Sequence, residues 1–208
     1  TVLDNDHGFH GGSASRGMFR CPNPKCRCDV FYRHGTYQRY FVFIPYEMQD
    51  IPFQADTLSV FDAIETQSLT ILRIRCTGCG QTHAILPEDI VPFHAFSLLL
   101  QLMILSAIYK KQNGPDSREK MIHQTPVLSW PFLHALLLTF KAYRSRMCHI
   151  LRSKSIYTAE NGPSDPELFE LYLFHEQSVR YLFLQVFSVP LFLTRQNTVT
   201  YPIRIIVR

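Results

Sequence analysis

Two short cysteine clusters constrain this chain more than any other feature. Cys21-Pro-Asn-Pro-Lys-Cys26-Arg-Cys28 and Cys76-Thr-Gly-Cys79-Gly80 hold five of the six cysteines and stand tens of residues apart. Paired short-range cysteines separated in this way are the spacing of a zinc ribbon. Zinc takes four ligands tetrahedrally, and a tight turn between two cysteines aims both sulfurs at one ion. Gly78 and Gly80 suit the positive-φ positions of such a turn, and Pro22 and Pro24 stiffen the first one. Disulfides rank below metal, because no secretory leader pattern precedes them. A redox pair ranks lower too, because Cys76 follows strand-like sequence and more of it comes after.

The expected ligands of one Zn2+ are Cys21, Cys26, Cys76 and Cys79. Cys28 is the spare thiol or an alternative to Cys26. His83, four residues after Cys79, reads as a strand surface residue. Val30–Tyr32 and Thr36–Ile44 read as strands with His34-Gly35 as a turn between them, and Ser68–Arg75 reads as another. Residues Pro45–Glu65 form an excursion between strands, with a short helix near Thr57–Ile64.

The residues around these clusters carry a resemblance. Arg20-Cys-Pro-Asn-Pro-Lys-Cys26 with Tyr32-Arg-His-Gly-Thr-Tyr-Gln-Arg39 resembles the zinc ribbons at the N-termini of insertion-sequence transposases and their helper proteins. Leu72-Arg-Ile-Arg-Cys-Thr-Gly-Cys-Gly-Gln-Thr-His-Ala-Ile-Leu-Pro-Glu-Asp-Ile-Val-Pro-Phe93 is similar to an uncharacterised zinc-ribbon family of Firmicute mobile elements. The resemblance covers about residues 20–100. It implies a transposition-linked DNA-binding role, with a transposase or recombinase as a further partner. The first cluster departs from the usual Cys-Pro-x-Cys of that pattern.

After Pro92 the pattern becomes helical. Phe96, Leu99, Leu100, Met103, Ile104, Ala107 and Ile108 recur at the spacing of one helix face. Asn113-Gly114-Pro115 breaks this helix, and Arg118–Gln124 reads as a short one. Ser129 is the expected N-cap of a long helix running to about Leu151, with Pro131 in its first turn. A further helix is expected from Asp165 to about Phe187, burying Leu168, Leu171, Tyr172, Phe174, His175, Val179, Leu182 and Val186. Thr198–Tyr201 and Ile203–Val207 read as strands. The expected fold class is α+β: an N-terminal antiparallel zinc ribbon followed by a helix-turn-helix-like domain. The expected division is a flexible segment over residues 1–19, the ribbon over 20–94, the basic helical region over 95–158, and a C-terminal helix and tail over 159–208.

Charge supplies the partner. The net charge is +4. Residues 95–158 carry nine Lys or Arg against two acidic residues, whereas residues 1–94 carry eight against ten. A basic segment follows a phosphate backbone, so double-stranded DNA is the expected partner. Lys141, Arg144 and Arg146 are the candidate contacts in the helical region, with Arg73 and Arg75 beside the second cysteine pair. No phosphate-binding glycine loop, nucleophile elbow or carboxylate cluster stands in the sequence, so no catalytic residues are expected. The longest apolar stretches fall short of a membrane span, and a cytoplasmic location is expected.

Overall fold

The computed structural model describes residues 20–45, 61, 63–87, 89–109, 119, 122–123, 125, 128–174, 179 and 191. The fold is mixed α+β, with a three-stranded antiparallel sheet in the order β1-β2-β3 and three helices. The strands are β1 (Phe31–Phe43), β2 (Glu65–Cys76) and β3 (Thr82–Ile85). The helices are α1 (Leu98–Tyr109), α2 (Trp130–Ser153) and α3 (Asp165–Phe174). The segments 1–19 and 198–207, most of the Pro45–Glu65 excursion and of the Arg118–Gln124 helix, and the course of the last helix beyond Phe174 lie outside the described residues.

Two compact units divide the described chain. Residues 20–39 and 68–87 form one, and the described parts of 40–67 and 88–196 form the other. In the first unit, β2 pairs with β3 so that Ile74 faces His83 and Leu72 faces Ile85. Phe31, Ile74 and Ile85 bury one face of this sheet together with Cys21 and Cys76.

The expected turn at His34-Gly35 is absent, and β1 runs through it as one strand. Gly35 adopts φ 110°, a value that only glycine takes without strain. The side-chain alternation changes parity there. Phe31 joins Ile74 on the buried face, whereas Tyr37 lies beneath Arg73 on the other. An extra residue at positive φ inside a strand is the signature of a bulge, which re-aims the following side chains while pairing continues. Gln38 confirms the new parity by donating to Thr70 Oγ1 at 2.8 Å and accepting from Ser68.

In the second unit α1 is the centre of the core. The sequence suggested one apolar face, but every residue from Leu98 to Ile108 is buried, Gln101 and Ser106 included. A helix apolar on all sides belongs inside a bundle. Gln101 tolerates this because its Nε2 donates to the Phe96 carbonyl at 2.8 Å. Ser97 Oγ accepts from Leu100 N at 3.2 Å and caps the helix. Tyr109, Phe140 and Phe169 tie the three helices together, with ring centroids 4.6–5.5 Å apart.

α2 begins where Ser129 predicts. Ser129 is extended at φ −134° and ψ 153°, and its hydroxyl accepts from Phe132 N, with Pro131 in the first turn. α3 opens with a capping box: the Glu167 carboxylate accepts from both the Ser164 amide and its hydroxyl, each at 2.8 Å. Leu168, Phe169 and Tyr172 are fully buried, and Tyr172 donates its hydroxyl hydrogen to the Met147 carbonyl at 3.2 Å. Among the described residues no helix is long and apolar enough to cross a membrane.

Candidate metal centre

Each cysteine pair sits in a turn that its own backbone closes. In the first turn Cys21 N donates to Cys28 O at 2.9 Å and Cys26 N to Asn23 O at 2.8 Å. The Asn23 side chain accepts from Lys25 N, holding the intervening residues in an Asx-type turn. In the second turn Gly80 N donates to Cys76 O at 3.0 Å and Cys76 N to Gln81 O at 2.9 Å. Gly80 takes φ 70° there, as expected, but Gly78 does not have a positive φ. Its glycine is required by proximity: a Cβ would stand 2.8 Å from Cys28 Cβ and 3.2 Å from Cys26 Sγ.

The two turns bring Cys21, Cys26, Cys76 and Cys79 together, with all four sulfurs within 4.8 Å of one another. Cys21 Sγ is 3.5 Å from Cys79 Sγ, and Cys26 Sγ is 3.7 Å from Cys76 Sγ. A disulfide needs about 2.05 Å, so these are free thiols. Four sulfurs at roughly 2.3 Å from one tetrahedral ion would stand about 3.8 Å apart. The observed spacing fits that geometry, and the four cysteines could hold a metal ion. Among the described residues they are the only such group of three or more His, Cys, Asp or Glu side chains.

The thiols differ in their tendency to ionise. The Gln81 backbone amide, helped by neighbouring thiols, pulls Cys79 down to about 7. Burial pushes Cys76 up to about 12 and raises Cys21 as well. Metal binding therefore has to displace protons from the two buried sulfurs.

Cys28 lies outside the four and links the two turns. Its sulfur is 3.2 Å from Thr77 Oγ1 and accepts from Val30 N at 3.4 Å. Thr77 in turn donates its amide and its hydroxyl hydrogen to the Val30 carbonyl.

His83 is not the surface residue that its place in a strand suggested. It is 6% exposed, and its Nε2 lies 3.7 Å from Cys21 Sγ. Phe31 packs edge-on against the ring, with centroids 6.1 Å apart. Burial lowers the imidazole pKa, so the ring is neutral near pH 7. With Cys21 ionised by a bound metal, the tautomer protonated on Nε2 would donate to its sulfur, the kind of outer-shell bond that supports a metal ligand. The signal was the pairing of His83 with Ile74, which places it on the buried face and is fixed by strand register.

The candidate nucleic-acid contacts fall in different surroundings. Arg73 lies 5.8 Å from the Tyr37 ring centroid, and Arg75 Nε donates to the Gly80 carbonyl at 2.8 Å. Lys141 and Arg146 are exposed on α2, with the Arg146 guanidinium 5.8 Å from the Tyr143 ring. Arg144 is partly exposed but engaged: it forms an ion pair with Asp165, and its Nη2 donates to the Pro163 carbonyl at 3.0 Å. The charge count over residues 1–94 concealed a basic first unit. Its described residues carry seven Lys or Arg and a single acidic residue, Asp29.

Residues 59–124 match a family described as a domain of unknown function, DUF6431. The matched stretch contains the second cysteine pair, β2, β3 and α1, but not the first pair. No curated protein and no solved structure matches the chain.

Proposed function

We propose that this chain is a zinc-dependent, non-catalytic accessory DNA-binding protein, in which Cys21, Cys26, Cys76 and Cys79 hold one zinc ion. The observation that carries the metal half is the clustering of four sulfurs from two turns within 4.8 Å. Thiolates are the preferred ligands of structural zinc, and an all-thiolate set leaves no open position for substrate. The ion acts as the cross-link of a small sheet whose own apolar cluster is slight.

Support for the DNA half is electrostatic: seven cations against one carboxylate in the described part of the cysteine-bearing unit. Lys141 and Arg146 add exposed charge on the helical unit, where a helix-turn-helix arrangement belongs to the same reading. The role in a mobile element, beside a transposase or recombinase, rests on the resemblance of residues 20–100. Elemental analysis together with titration of a fluorescent duplex at two salt concentrations tests the proposal. About one zinc per chain and a fall in affinity with salt are expected. Metal-free folded protein or salt-independent association overturns it.

A second reading, a protein-interaction scaffold, has one observation in its favour. Trp130 and Leu138 are 51% and 53% exposed on α2, two helical turns apart on one face. In that case Trp130→Ala would abolish partner capture and leave duplex binding intact.

A further inference from the structure

The face of the sheet opposite the buried cluster is aromatic and cationic. Ile74 and Phe31 point inward, so Arg73, Arg75 and Tyr32 lie on the opposite face by alternation; Arg75 and Tyr32 are exposed there, whereas Arg73 is half-buried and Ile71 beside it is buried. His34 shares the outward face with Tyr32, their rings edge-on at 6.4 Å. The parity change at Gly35 then brings Tyr37 to this face as well, beneath Arg73. Without the bulge, Tyr32 and Tyr37 would stand on opposite faces, since five residues separate them. Tyr32 is 43% exposed and Tyr37 36%.

Arg73 is placed to complete such a surface. Its guanidinium passes close to Gly35, where an added Cβ would meet Nη2 at 3.8 Å. Its Nε is buried and has no hydrogen-bond partner among the described residues. The buried Nε is closed to a ligand, but a planar cation held over a tyrosine is the arrangement that meets a nucleotide base and its phosphate together. Asp29 is the single acidic residue among the described residues of this unit, and Glu65, eight residues before Arg73 on β2, is the other carboxylate of the sheet.

We propose that this outward face binds an unpaired nucleic-acid strand, with Tyr32 and Tyr37 stacking on bases and Arg73 and Arg75 meeting phosphates. The inference rests on the nucleic-acid reading above and narrows it. Paired bases within a duplex offer no free π-face to a flat sheet, whereas every unpaired base does. Single-stranded DNA and single-stranded RNA share this chemistry.

The test uses the full chain loaded with zinc and three fluorescent probes of equal length: oligothymidylate, oligouridylate and a mixed-sequence duplex. Wild type should bind at least one unpaired strand, and the probe it prefers identifies the sugar. Tyr32→Ala and Tyr37→Ala should each weaken that binding about tenfold, while Tyr37→Phe retains it. Zinc content of each variant verifies the fold. Duplex binding without strand binding overturns this inference and leaves the DNA-binding reading standing. Loss of neither strand affinity in the alanine variants overturns it as well. Binding to none of the three probes overturns both.

Discussion

Gly78 and Cys28 approach so closely that a Cβ on the glycine would lie 2.8 Å from the Cys28 Cβ. The contact sits where the second cysteine turn crosses the first, and Cys26 Sγ is only 3.2 Å from the same point. A side chain at position 78 would therefore push the turns apart at the sulfurs. Gly78→Ala is expected to weaken zinc binding about 10- to 100-fold, the range of an outer-shell disturbance. Competition with a chromophoric chelator measures it. Adding Cys28→Gly to Gly78→Ala removes the obstructing Cβ and should restore part of the loss; equal affinity in both variants would mean that the contact is not the cause.

The four clustered sulfurs and the two that stand apart give opposite expectations on substitution. Cys76→Ser removes one of the four proposed ligands and should release zinc and unfold the first unit, because ligation of such a site is folding free energy. Cys28→Ser should keep its zinc, since its sulfur contacts Thr77 and Val30 and lies outside the four. Cys148→Ser, on α2, should keep it too. Elemental analysis of the purified variants distinguishes them, and zinc lost from Cys28→Ser would place that residue among the ligands.

His83 lies beside the four cysteines without being one of the group, and under the proposed zinc binding it is expected to tune their affinity. His83→Phe should fill the space beside Phe31 but lose the bond to Cys21 Sγ, which now stands at 3.7 Å. The expected result is unchanged stoichiometry with zinc affinity lowered about tenfold. Stoichiometry falling to zero would instead make His83 a ligand.

The cysteine pairs, the Ser129 cap and the start of α3 were legible because each is local chemistry, settled within a few residues. His83 was not, because its burial depends on Ile74, nine residues earlier on the neighbouring strand. Gly35 in isolation looks the same whether it ends a strand or bulges one; Tyr37 beneath Arg73 and Gln38 beside Thr70 decide it. The all-round burial of α1 was hidden by Gln101 and Ser106, polar residues whose acceptance depends on tertiary surroundings. The charge of the first unit was hidden because residues 1–94 mix it with carboxylates from the Pro45–Glu65 stretch, which that unit does not include.

Acid should loosen the start of α3. The Ser164 amide and hydroxyl bonds hold the Glu167 carboxyl below its ordinary value of 4.5. A carboxylate with a depressed folded pKa contributes stability that is fully present above the unfolded value and is lost as pH falls through the folded one. Glu167→Gln keeps an acceptor but no charge at the helix N-terminus. Wild type should exceed it in urea midpoint at pH 7, and the difference should narrow as pH falls below 4.5. A difference constant with pH would remove the carboxylate from this role.

The basic residues of α2 should separate by function. Arg144 is 41% exposed and joins α2 to the start of α3 through Asp165 and the Pro163 carbonyl. Arg144→Ala should therefore lower stability by about 1 kcal/mol, a value kept small by solvent screening, and leave duplex affinity of the folded protein unchanged. Lys141 and Arg146 are exposed on the same helix. Replacing both by Ala should weaken duplex binding at every sequence and reduce the salt slope by about two. Replacing Arg73 and Arg75 should cost at least as much, because the described part of their unit carries seven cations against one carboxylate. Titrating all three variants against one duplex at two salt concentrations, beside their urea midpoints, separates contact from support. A loss of duplex affinity in Arg144→Ala at unchanged stability would reverse the assignment, making Arg144 a phosphate contact and its bond to Asp165 incidental.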